Sequence, residues 1–198
     1  MSEERSDWIV LKFGGTSVST LENWQKIVSV VKKRRDEGFK VCLVHSALSG
    51  VSNILQSIVE HPGDHDLLQK VEQIKEKHIA LGEDLGVPAD ELLADDFEEV
   101  EHIVKGVELI GEASYRVHAR LLAMGELMAT KLGNAFLQQE LDEAQWLDAR
   151  KYIKTIIRKN TTERSQIISA VSKTDFDQNV ADALDQAGPI VVTQGFIG

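Results

Sequence analysis

Two short apolar runs, Trp8-Ile9-Val10-Leu11-Lys12-Phe13 and residues 40–45, stand one helix length apart, and this spacing constrains the fold more than any other feature of the chain. Each run has the continuity of a strand buried on both faces, not the alternation of a strand with one wet face. Between them Leu21, Trp24, Ile27, Val28 and Val31 recur at helical spacing, with Ser19 or Thr20 available as N-cap and Gly38 as the stop. After the second run a small-residue loop, 46–52, leads into helical Ile54, Leu55, Ile58 and Val59. Strand, helix, strand, helix implies an α/β fold with a mainly parallel sheet, because parallel neighbours need a crossover long enough to return to the same edge. The run from Trp8 is expected at the centre of that sheet.

Residues 66–140 read as helical almost throughout, with breaks expected at Gly86-Val87-Pro88 and near Gly111 and Gly125. So long a helical stretch between strands implies an insertion packed beside the sheet. Within it Asp90, Glu91, Asp95, Asp96, Glu98, Glu99 and Glu101 crowd the positions left by an apolar stripe, and they read as a solvated face. Strand character returns at 144–147 and around 152–157; residues 159–173 have no clear pattern. Residues 176–187 read as a short helix ended by Gly188, and 189–193 as a last buried strand. Gln194-Gly195-Phe196-Ile197-Gly198 then begins a loop beyond a strand's carboxyl end, where open α/β sheets bind ligands.

The chain has 198 residues, enough for one well-buried core, and a formal charge of -10. That charge disfavours an extended phosphate backbone as partner, so no nucleic acid is expected. The single cysteine, Cys42, lies in an apolar run without a partner, and neither a signal segment nor a membrane-spanning run is present. A cytoplasmic, membrane-free protein is expected, with residues 1–7 flexible.

The loop after the first strand, Lys12-Phe13-Gly14-Gly15-Thr16-Ser17-Val18, joins a cation to two residues without side chains. Such a turn lets backbone N–H groups approach an anion and reads as a phosphate site, although Gly-Gly is also a common turn. It matches neither the P-loop nor the dinucleotide glycine pattern. His61, Asp64, His65 and Asp66 surround Pro62-Gly63, which is first a turn, and no metal site is assigned. His45 sits between a strand and the small-residue loop; His78, His102 and His118 are expected on helix surfaces.

The heptapeptide resembles the N-terminal signature of aspartokinases, in the amino acid kinase family. Four further segments are similar to that family in the same order: His45-Ser46-Ala47-Leu48-Ser49-Gly50-Val51-Ser52, Met124-Gly125-Glu126-Leu127, Trp146-Leu147-Asp148-Ala149-Arg150 and Thr193-Gln194-Gly195-Phe196-Ile197-Gly198. The resemblance implies a three-layer αβα sandwich, incomplete here, and ATP-dependent phosphorylation of the L-aspartate side-chain carboxylate, with Mg²⁺, at the entry to lysine, threonine and methionine synthesis. An aspartate carboxylate, with a reference pKa of about 3.9, is already ionised at neutral pH and needs no general base.

By motif position, the resemblance makes Lys12 the catalytic cation that neutralises the transferred phosphoryl group. Gly14, Gly15 and Ser17 would line the ATP phosphates. Ser46, Ala47, Ser52, Glu126 and Phe196 would bind aspartate, with Glu126 holding the α-ammonium group. Read alone, Ser52 is equally an N-cap for a helix from Asn53, and Glu126 a favourable acid in a helix's first turn. Asp148 and Arg150 receive no catalytic role.

Aspartokinases continue into segments that complete the substrate and nucleotide sites, so residues 1–198 are expected to be the N-terminal portion of a kinase domain, inactive by itself. Its expected partners are the rest of that domain and regulatory or decarboxylase domains, with a homo-oligomer open. The Trp8-Ile9-Val10-Leu11 lead-in, Asn23-Trp24 and Val44-His45-Ser46 are more similar to bifunctional aspartokinase and diaminopimelate decarboxylase fusions than to stand-alone enzymes. The alternative is a non-catalytic aspartate-binding or assembly module derived from the kinase fold. Thr16-Ser17-Val18 and Gly125-Glu126 disfavour a kinase of acetylglutamate or glutamate.

Overall fold

The computed structural model describes residues 6–156 and 161–195. Strand β1 (Trp8–Phe13), helix α1 (Leu21–Asp36), strand β2 (Lys40–His45) and helix α2 (Val51–Glu60) follow the expected order. Thr20 supplies the α1 cap: the Asn23 N–H donates to its hydroxyl at 3.3 Å. Four helices come next, α3 (Leu67–Leu85), α4 (Ala89–Leu92), α5 (Ala94–Ile110) and α6 (Tyr115–Leu141), then strand β3 (Ala144–Leu147). Strands β4 (Thr155–Ile156) and β5 (Val171–Ser172) flank helix α7 (Glu163–Ile167), and helix α8 (Gln178–Ala187) leads into strand β6 (Ile190–Gln194).

The main sheet has the order β1-β2-β6-β3, and all its pairings are parallel. Phe13 is level with His45, His45 with Gln194, and Leu147 with Thr193, so the carboxyl ends form one edge. β1 is therefore an edge strand among the described residues, not the central one. Its alternate residues explain the misreading: Ile9, Leu11 and Phe13 pack on the core, while Val10 is 65 % exposed on the opposite face.

Core packing divides the sheet's two faces. Val41, Leu43, Ile190 and Val192 join one cluster with Trp24 and Ile27 of α1 and Met128 and Leu132 of α6. The opposite face is met by α8 at β3 and β6. The sandwich thus has three layers, with α8 in the thinner one among the described residues. Of the 66–140 stretch, α3 to α5 cover α2 and α6, whereas α6 lies directly on the sheet.

Three local expectations change. Helix α6 runs unbroken through Gly125, because a glycine inside a long helix costs only about 1 kcal/mol and tertiary packing repays it. The strand expected around 152–157 contributes Thr155–Ile156, paired antiparallel with Val171–Ser172 outside the main sheet; residue 157 lies outside the described residues. Asp96 leaves the solvated acid face and is 6 % exposed, held by Lys131 at 2.7 and 2.8 Å.

His78 is fully buried, not a surface residue. It continues the α3 stripe Val71, Ile74, Leu81, Leu85, a spacing that would have found it. His45 and His78 are both pushed down to about 4 by burial, against 6.5 in an unfolded chain. Between those values only the unfolded chain binds the proton, so this part of the stability is present above about pH 6.5 and lost as pH falls toward 4. Relative to wild type, His78→Leu should gain about 1 kcal/mol per pH unit on acidification from pH 6 to 5, measured by urea unfolding.

Candidate functional site

Beyond the carboxyl ends of β1 and β2, two loops are pressed together by backbone contact. A Cβ placed on Gly15 would lie 2.6 Å from the Ala47 carbonyl oxygen and 3.4 Å from the Ser49 nitrogen, so only glycine admits this approach. Ser19 joins the same two loops: its hydroxyl donates to the Gly15 carbonyl at 2.6 Å and accepts from the Ser49 N–H at 2.9 Å. The sequence offers Ser19 only as a possible cap. Its bridging role carries no sequence signal, since it depends on a loop thirty residues away.

Helix α6 closes one side. Gly125 lets it approach until a Cβ there would meet Ala47 at 3.0 Å, Leu55 at 3.1 Å and Val51 at 3.3 Å. The next residue, Glu126, is 8 % exposed. Burial pushes its carboxyl up to about 7, opposed by hydrogen bonding from its own N–H and that of Ala47. Glu126 lies in the middle of α6, so the reading as an acid in a helix's first turn falls away. A buried carboxylate with no ion pair among the described residues is costly to hold and suits a cationic partner.

One turn further along α6, Thr130 anchors the helix to the sheet. Its hydroxyl accepts from Gln194 Nε2 at 2.9 Å and Trp146 Nε1 at 2.9 Å, and donates to the Glu126 carbonyl at 2.7 Å. Gln194 Oε1 in turn accepts from the Ala149 N–H at 2.8 Å. This network fixes the height of Glu126 over the strand ends; the sequence motif that contains Gln194 gives it no role, and no motif contains Thr130. Asp148 accepts two hydrogen bonds from the Arg150 guanidinium, 2.9 and 2.8 Å, and caps the following turn, a structural pair.

The structure thus brings Gly15, Ala47 and Glu126 together, with Ser46 half-buried beside them. Lys12 is exposed at the same sheet edge but, by strand alternation, on the face opposite Phe13 and α6, and it has no ion-pair or hydrogen-bond partner among the described residues. Gly14 borders open space. Ser17 is half-buried in a 3-10 turn whose N–H to Gly14 carbonyl bond is 3.0 Å. Ser52 is exposed and caps nothing, because α2 begins at Val51 with Gly50, at φ 82°, in the cap position. Phe196 lies outside the described residues.

Around Pro62-Gly63, Asp64 and Asp66 pair with Lys70 at 2.8 and 3.2 Å. No group of three or more His, Cys, Asp or Glu among the described residues could hold a metal ion. Among the same residues no helix is long and apolar enough to cross a membrane.

Comparison with known proteins gives the family of this fold. Residues 7–198 match the model of the amino acid kinase family. The lysine-sensitive aspartokinase 3 of Escherichia coli is 29% identical over 198 residues, a match covering 98% of this chain and 41% of that protein. The aspartokinase of Chlamydia trachomatis is 30% identical over 192 residues, covering 96% and 40%. The crystal structure of E. coli aspartokinase III in complex with aspartate and ADP superposes with a TM-score of 0.73 at 26% identity, covering 94% of this chain and 40% of that one. The chain therefore spans about two fifths of the length of these relatives, 41% and 40%. Its parallel sheet and its match from residue 7 onward place it in the amino acid kinase family.

Proposed function

We propose that this chain supplies the amino-acid-binding wall of an aspartate kinase, which transfers the γ-phosphoryl group of ATP to the side-chain carboxylate of L-aspartate. The observation that carries the reading is Glu126, a buried carboxylate between α6 and the Ala47 N–H at the mouth of the glycine loop. An α-ammonium group is the cation that such a site suits. Ser46, Ala47, Ser52 and Phe196 would complete the aspartate pocket. Lys12, Gly14, Gly15 and Ser17 would meet the phosphates. The substrate carboxylate is its own nucleophile, so the protein's task is to hold two anions in line and neutralise charge as the phosphoryl group moves. The described residues offer no carboxylate cage for Mg²⁺, which would be held mainly by the ATP phosphates, as this ion commonly is.

Calorimetry with L-aspartate on the chain and on Glu126→Ala tests the reading: binding in the wild type and loss in the variant are expected, and equal binding by both would refute it. A second reading keeps the same Glu126 pocket in a non-catalytic aspartate-binding or assembly module. A coupled ADP-release assay bears on the two: turnover excludes the second reading, whereas no turnover by these residues alone is expected on either.

Lys12 gives a prediction of its own. Exposed and unpartnered among the described residues, it should leave stability within about 0.5 kcal/mol when changed to methionine. Wherever turnover is measurable, the same change should lower it by at least about a hundredfold. Thermal unfolding and ADP release check the two halves.

A further inference from the structure

His45 ends β2 at the meeting point of three loops. Its carbonyl accepts from the Gly195 N–H at 3.2 Å, and the next residue's N–H donates to the Phe13 carbonyl at 3.3 Å. Its ring is fully buried, edge-on to Trp24 with centroids 5.4 Å apart. On the α6 side a Cβ on Gly133 would lie 2.9 Å from Nε2. Nδ1 lies 2.9 Å from the Ser46 carbonyl oxygen, whereas Nε2 has no partner among the described residues. Since a carbonyl only accepts, the proton sits on Nδ1 and the ring is in one tautomer.

The Ser46 carbonyl and the Ala47 N–H belong to one planar trans peptide and point in opposite directions. Fixing the oxygen therefore fixes the direction of the N–H. Resting on the kinase reading above, we propose that His45 is a positioning residue of this site: its Nδ1–H holds the Ser46 carbonyl and thereby turns the Ala47 N–H toward the Glu126 carboxylate. The ring has no route to the substrate itself, because Trp24 and α6 enclose it. Burial keeps a second proton off the ring near neutral pH, which preserves the tautomer that donates to Ser46.

A space-filling role and a positioning role separate by where a replacement carries its N–H. Asparagine places an amide nitrogen where Nδ1 was, glutamine places one nearer Nε2, and leucine has none. The Glu126 carboxyl is titrated by ¹³C NMR in the free protein for wild type, His45→Asn, His45→Gln and His45→Leu. Gln and Leu should raise its midpoint by about one unit, through loss of a hydrogen bond to the charged form, while Asn leaves it in place. Aspartate affinity should follow, about tenfold weaker for Gln and Leu and within about threefold for Asn.

A common shift in all three variants, or in none, overturns the proposal. So does a ¹⁵N spectrum of the wild type that places the ring proton on Nε2, a measurement that needs no variant to fold. Because the titration is read without ligand, absence of aspartate binding by the wild type would refute the kinase reading and leave this result standing.

Discussion

Glu126→Gln should lose aspartate binding by about a hundredfold or more and yet be the more stable protein at pH 8. The loss follows from removing the charge opposite the ammonium group, a charge-assisted pair in a partly dry site. The gain follows from linkage. The folded-state carboxyl is raised to about 7 against 4.5 in the unfolded chain, so between those values the folded state binds the extra proton. Stability from this group is full below about pH 4.5 and declines as pH rises through 7. At pH 8 the ionised, buried carboxylate costs the free protein up to about 3 kcal/mol, which glutamine does not incur. The advantage of Glu126→Gln in urea unfolding should therefore shrink toward zero near pH 5. Wild-type aspartate affinity should itself weaken as pH falls below about 7, where Glu126 takes up its proton, and affinity in the variant should be low and flat. Equal stability of the two proteins at pH 8 would show that Glu126 is not buried as described.

Gly133→Ala should have a large effect for a single-methyl change. The added Cβ would fall onto the Trp24 ring and lie 2.9 Å from His45 Nε2. The ring has little room to yield: its Nε1–H donates to the Val18 carbonyl at 2.9 Å, and Phe136 packs edge-on with centroids 6.0 Å apart. Alanine gains about 1 kcal/mol of helix propensity, but overpacking a rigid aromatic costs up to about 3 kcal/mol or more, so a net loss of about 2 kcal/mol is expected. Gly106→Ala in α5 is the control, because nothing lies within 4 Å of its added Cβ. That variant should be stabilised by about 0.5–1 kcal/mol. If thermal unfolding shifted both variants the same way, the tight seat of α6 on Trp24 would be wrong.

Much of this architecture was legible because apolar runs and helical stripes report burial directly. The strands β1, β2, β3 and β6, the helix α8 with its Gly188 stop, and the parallel pairing all follow from that pattern. Strand position did not, since β1 has a run as apolar as that of β2 and lies at the edge. The loss of the break at Gly125 has a related cause. A glycine read along the chain is a breaker, whereas in three dimensions it lets α6 approach Ala47 so closely that a Cβ would lie 3.0 Å from it.

The candidate site was legible where a resemblance named a residue that the structure brings to it, and illegible where long-range contact made the role. Glu126 and Gly15 belong to motifs, and the structure places both beside Ala47. Thr130, Ser19 and His45 act through hydrogen bonds to distant loops or to the adjacent peptide, and nothing in their local sequence announces it. Lys12 shows the opposite limit: its motif is clear, and its partners among the described residues are none.

The ionisation of Glu126 in the presence of two ligands that differ by one ammonium group tests the proposed site. Titrated by ¹³C NMR, its carboxyl should fall from about 7 to at least one unit lower on saturation with L-aspartate, because the bound ammonium favours the charged form, and should not fall with succinate. An unmoved midpoint with aspartate, or an equal fall with succinate, would contradict an aspartate site built around Glu126.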